Sequence, residues 1–221
     1  MIAQNTECRD AIDHLPYGGT LLVPGVSWEE YEQLLAELGE GYAVRVSYDG
    51  RRLEIVSPSA KHEKYKEFIS HLARVVADET GSDLECLGST TFKQKELARG
   101  VEPDACFYVQ HAPQIVGKDL IDLSADPPPD IVVEVDVAHD SLGKFGLYAG
   151  LGVPEIWRCD EQGAHIYHLI EGAYVELPTS LAFPVLTAED LSRFLARSET
   201  EGQRAVLRSV RELVRARSQT S

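Results

Sequence analysis

The residues of this chain whose types and spacing could do chemistry are two acidic strand ends, thirty residues apart. The first is Val101-Glu102-Pro103-Asp104, which opens the run Ala105-Cys106-Phe107-Tyr108-Val109. The second is Asp130-Ile131-Val132-Val133-Glu134-Val135, followed by Asp140-Ser141-Leu142-Gly143-Lys144. A carboxylate buried in an apolar strand is costly unless it is paired or holds a metal. Strand side chains alternate, so Glu134 and Asp136 point to one side and Val133 and Val135 to the other. If Asp104 ends a neighbouring strand, its carboxylate and that of Glu134 converge at one sheet edge. Magnesium takes oxygen ligands at roughly 2.1 Å and keeps several waters. Asp104, Glu134 and a main-chain carbonyl, that of Val135, are therefore enough to hold Mg2+ or Mn2+. Such an ion polarises a phosphate and acidifies a water, and a nearby ammonium neutralises charge building on the phosphate. Lys144 is placed for that role. The plain alternative is an exposed i,i+4 salt bridge with Asp140, worth roughly a few tenths of a kcal/mol.

These groups must be carried by regular elements. Ser27 precedes the helical pattern Trp28–Leu35, with acids in its first turn. Asp49-Gly50 separates the alternating runs 42–48 and 51–56, a hairpin signal. Pro58-Ser59 starts a helix to about Glu79, with Tyr65, Phe68, Ile69, Leu72, Val75 and Val76 on one face, and Gly81 ends it. Strands are expected near 84–87, 90–95, 105–109, 131–135 and 154–158, with a helix from Asp140 to Gly150. Runs 165–170 and 174–177, joined by Glu171-Gly172, predict a second hairpin. Ile131–Val135 is apolar enough for the centre of a sheet. Hairpins plus one strand–helix–strand crossover give an α/β or α+β plan, one central mixed sheet flanked by helices. We divide the chain into a loosely organised lead-in (1–27), a core domain (28–195) and a basic amphipathic C-terminal helix (196–221). In that tail Val206, Val210, Leu213 and Val214 share one face and Arg204, Arg208, Arg211 and Arg215 another. The basic face is either solvated on a docked helix or a contact for nucleic acid or a partner subunit.

Composition narrows the function. The 221 residues carry a net charge of −15, which argues against unspecific nucleic-acid binding but leaves room for a nuclease with a locally basic surface. The seven Arg and three Glu from Arg193 onward run against that balance. No apolar run approaches the roughly 20 residues needed to span a bilayer, and no secretory signal opens the chain. Cys8, Cys86, Cys106 and Cys159 are scattered, without zinc-site spacing, which fits reduced thiols in a cytoplasmic protein. No Gly-x-Ser-x-Gly elbow is present, so a serine hydrolase has little support.

The segment Asp130–Val135, then Asp140-x-x-x-Lys144-x-x-x-Tyr148-Ala149-x-x-Gly152-Val153-Pro154-Glu155-x-Trp157-x-x-Asp160, resembles the Uma-two restriction endonucleases of the PD-(D/E)XK nuclease superfamily. Leu53-Glu54-Ile55-Val56-Ser57-Pro58, with His62-Glu63 opening a helix, is similar to the family's hairpin and first core helix, and Pro103-Asp104 to its PD. The resemblance covers roughly residues 28 to 195. It implies a restriction-endonuclease-like core in which Asp104 and Glu134 hold the metal, Lys144 is the assisting lysine displaced onto the following helix, and Glu63 is an auxiliary carboxylate. Glu63 can equally be a first-turn acid on the helix dipole, and His62 a hydrogen-bonding group at the same helix start. The superfamily pattern would put lysine two residues after Glu134, where this chain has Asp136. That carboxylate either binds metal or opposes the approach of a phosphate. The expected activity is magnesium-dependent cleavage of DNA by a homodimer. The alternative is a catalytically silent nuclease fold acting as an oligomeric binding or scaffold module.

Overall fold

Two hairpins and one crossover build two sheets, where the sequence predicts a single central one. The computed structural model describes residues 2–39, 42–137 and 141–219. Gly50, at φ 93°, reverses the chain between β2 (Arg45–Tyr48) and β3 (Arg52–Val56). The lead-in is not loose. It forms helix α1 (Ile2–Asp13) and strand β1 (Thr20–Pro24), which pairs with β3 from Thr20↔Val56 to Pro24↔Arg52. The run Leu21-Leu22-Val23 is too short to announce a strand alone, but β3 offers it a full set of main-chain partners. With β5 (Phe92–Gln94) and β6 (Arg99–Val101) these strands make an antiparallel sheet in the order β1-β3-β2-β6-β5. Helix α2 (Trp28–Leu38) starts with a capping box between Ser27 and Glu30 and lays Trp28, Tyr31 and Leu34 on that sheet.

The second sheet contains β4 (Glu85–Cys86), β7 (Ala105–Tyr108), β8 (Ile131–Val135), β9 (Glu155–Asp160), β10 (Gly163–Ile170) and β11 (Ala173–Glu176), ordered β11-β10-β9-β8-β7-β4. It is mixed, because β8 and β9 run parallel and the other neighbours antiparallel. The parallel pair needs a crossover, and a 3-10 turn at Leu142–Lys144 running into helix α5 (Phe145–Leu151) supplies it. Glu171 and Gly172, at φ 50° and 82°, close the β10–β11 hairpin in the left-handed pair that suits a two-residue turn.

Helix α3 (Ala60–Thr80) begins where the Ser59 side chain accepts the His62 N–H and ends at left-handed Gly81. Its apolar face packs on Ile131, Val133 and Val135. Beyond a short helix α4 (Ala112–Ile115), two long helices close the chain: α6 (Ala188–Glu201) and α7 (Gln203–Ser218). The expected boundary at 195/196 falls inside α6. Val206, Val210 and Val214 are buried and dock α7, which contributes on the order of 5 kcal/mol. Arg211 and Arg215 pair with Glu79 of α3 at 3.4 and 2.6 Å, so half of the basic face belongs to the fold. The six-stranded sheet thus lies between α3, α6 and α7 on one side and α5 with the first sheet on the other. No helix among the described residues is long and apolar enough to cross a membrane.

Candidate functional site

The register of β7 on β8 decides where the two acids go. Ala105 pairs with Val133 and Cys106 with Val132. Asp104, the residue before β7, donates its N–H to the carbonyl of Val133, next to Glu134. Alternation then sets the side. Ile131, Val133 and Val135 enter the core under α3, whereas Val132 and Cys106 face α5. Glu134 takes the α5 side, where Lys144 and Tyr148 meet it, while Asp104 lies beside it against His62 of α3, and both acids are buried.

Each acid has its own partners. The Asp104 N–H donates to the Val133 carbonyl at 3.0 Å, and Asp104 Oδ2 accepts the Val135 N–H at 2.7 Å. The same Oδ2 lies 2.9 Å from His62 Nε2, from the first turn of α3. Glu134 Oε2 accepts from Lys144 Nζ at 2.9 Å, and Glu134 Oε1 accepts the Tyr148 hydroxyl. Lys144 is only 4% exposed, which removes the reading of an exposed i,i+4 salt bridge. Its supposed partner, Asp140, lies outside the described residues.

The electrostatics follow from two carboxylates sharing one ammonium out of water. Burial pushes Glu134 up to about 7; Asp104 adds to the rise, and Lys144 and the Tyr148 hydroxyl only partly oppose it. Asp104 is held low: burial raises it, but His62, Lys144 and the Val135 N–H together outweigh that. Lys144 rises although burial opposes its charge, because Glu134 and Asp104 attract the proton more strongly. Burial and the Glu134 charge lift the Tyr148 phenol well above its usual range, so it stays a donor.

The other predicted residues fall nearby or elsewhere. Glu63 sits at the start of α3, two-fifths exposed, beside Lys66 Nζ at 2.5 Å and Arg45 Nη2 at 3.7 Å. Its Oε1 lies 3.4 Å from His62 Nδ1, so it meets Asp104 only through the imidazole. Val135 reaches the site through its N–H. Asp136 does not join it. Its carboxylate accepts from Arg158 Nε at 2.6 Å and from the N–H and hydroxyl of Ser141, both at 3.1 Å, and closes the loop ahead of α5. Glu102 is architectural: it accepts from Tyr42, from Thr91 at 2.6 Å and from the Val46 N–H at 2.9 Å. Asp130, at the far end of β8, holds His111 and the Val109 N–H. Two groups escaped the sequence reading as site residues, Tyr148 and His62 as the partner of Asp104. Tyr148 was findable, since Lys144 and Tyr148 are four apart and share a helix face.

The donor set fits a hard divalent cation. Its atoms are buried carboxylate oxygens, with the Lys144 ammonium as a stand-in cation on Glu134. Among the described residues no group of three or more His, Cys, Asp or Glu is gathered to hold a metal.

The site thus sits on a mixed sheet, with two acids on adjacent segments and a helix that starts beside them. The fold is similar to the crystal structure of a "putative nuclease belonging to DUF820" from Anabaena variabilis, with a TM-score of 0.52 and 18% identity over 77% of this chain and 99% of that one. The chain belongs to the Uma2 family, described as "Putative restriction endonuclease", whose family model matches residues 28–196. No curated protein matches the chain.

Proposed function

We propose that the protein is a divalent-metal-dependent DNA endonuclease. The observation that carries this reading is a pair of buried acids on adjacent chain segments, Asp104 and Glu134, with the buried Lys144 ammonium on Glu134. Asp104, Glu134 and the Val135 carbonyl would hold Mg2+ or Mn2+. When bound, such an ion polarises the scissile phosphate and acidifies a water. The protein's own groups do the rest. His62 and the Val135 N–H fix the orientation of Asp104, and Tyr148 fixes Glu134. Lys144 supplies positive charge for the phosphoryl oxygens as the phosphodiester is hydrolysed. Glu63 acts as an auxiliary through His62. Cutting both strands of a duplex suits a twofold dimer, the assembly proposed here.

The silent-module reading has one observation in its favour: the Lys144 ammonium already occupies Glu134. Calorimetric titration with Mg2+ separates the two, since a silent module takes up none at millimolar metal. The direct test is nicking of supercoiled DNA with Mg2+ or Mn2+. Asp104→Ala should abolish it with the fold intact by circular dichroism, and equal activity in that variant removes the proposal.

A further inference from the structure

The Lys144 ammonium lies on the carboxylate that the proposed ion needs. Two cations at one carboxylate repel, so Lys144 must leave Glu134 when a metal arrives. Lys144 is buried, and a buried ammonium needs a counter-charge wherever it goes.

The first sheet supplies one. Alternation along β3 sends Leu53 and Ile55 into the core under α2 and turns Glu54 to the opposite side. There Glu54 and its cross-strand neighbour Ser47 line a narrow cleft with Gly143, Lys144 and Leu147. Glu54 Oε1 is buried and has no hydrogen-bond partner among the described residues. Such an oxygen is expensive to leave unmatched. The cleft has a volume of about 20 Å³, room for one water-sized group, which is the size of an ammonium head. Asp49 and Arg52, exposed residues at the turn of the hairpin, also line it.

We propose that Glu54 is a positioning residue, which receives the Lys144 ammonium when a divalent cation takes Glu134. The lysine then swings between two carboxylates across the seam of the two sheets. This rests on the metal reading above.

Titration of Mn2+ into the full-length protein tests it without an activity readout. Glu54→Gln should weaken Mn2+ by about tenfold or more, because Lys144 then has no second carboxylate and stays on Glu134. In a Lys144→Met background the same change should alter affinity by less than about threefold. Glu54→Asp, which keeps the charge, should recover part of the affinity, and urea unfolding confirms that each variant is folded. Wild-type affinity in Glu54→Gln overturns the inference. So does an equal loss with and without Lys144, which would make Glu54 act on the ion directly, and so does Glu54→Asp binding as weakly as Glu54→Gln. A wild-type protein that binds no Mn2+ overturns the metal reading itself.

Discussion

Glu134 should make the protein less stable as pH rises through neutrality. A carboxyl whose folded-state pKa lies above its ordinary value binds more protons folded than unfolded. Its penalty is absent below the ordinary value and full above the folded one. For Glu134 those limits are 4.5 and about 7. Linkage then puts the loss between pH 5.5 and pH 8 at about 2 kcal/mol, a sizeable part of the roughly 5–15 kcal/mol that hold a domain together. The neighbours do not mask it. Asp104, Glu79 and Asp190 are shifted down, so their contributions are complete above the ordinary carboxylate range and vanish only in acid. Lys144 and Tyr148 are shifted up and keep their protons across the window.

The assay is urea unfolding in EDTA at the two pH values, for wild type and Glu134→Gln. The wild type should lose about 2 kcal/mol at pH 8, and the Gln variant should be nearly flat. Adding Mg2+ at pH 8 should return stability to the wild type only, because a cation that binds the folded carboxylate shifts the equilibrium by mass action. Equal wild-type stability at both values in EDTA, or the same slope in Glu134→Gln, refutes the assignment of an undercompensated buried acid.

Three further outcomes follow from the same geometry. His62→Ala removes the contact at 2.9 Å from Asp104 Oδ2; it should cost about 1–3 kcal/mol and move acid unfolding to higher pH, and an unchanged acid midpoint would show that the imidazole does not hold the carboxylate. Asp136→Asn weakens the loop closure to Arg158 and Ser141, so it should lower thermal stability while Mn2+ affinity stays within about threefold. A large loss of affinity would return Asp136 to the site. Gly100→Ala would place a Cβ 2.1 Å from the Tyr31 hydroxyl oxygen on the β6 side of α2, and overpacking there should cost about 1–3 kcal/mol, read as a fall in Tm.

How far the sequence reached depended on whether a feature was local. The β2–β3 turn was legible because Asp-Gly carries its own backbone preference, and Gly50 adopts it. Helix α3 was legible from its face and caps, and β8 from its unbroken apolar run. What failed depended on partners far along the chain. Strand β1 exists because β3, some thirty residues on, has a free edge. Two sheets rather than one result from β6 turning back onto β2 at Tyr48↔Gly100, a pairing no local pattern encodes. The site divides in the same way. Period-two alternation was enough to put Glu134 opposite the apolar residues of β8. Its meeting with Asp104 needed only the assumption that β7 and β8 are neighbours. The role of Asp136 needed more. Alternation gave it the same side as Glu134, but β8 ends at Val135, and beyond a strand's last residue the alternation no longer binds the backbone. Arg158 of β9 and the returning Ser141 took that carboxylate instead. The same reasoning explains His62. Its partner is 42 residues away in sequence, and only the packing of α3 on β8 brings the imidazole to Asp104. A motif therefore names the acids that need a cation, but the groups that hold them in place come from whichever elements the core brings alongside.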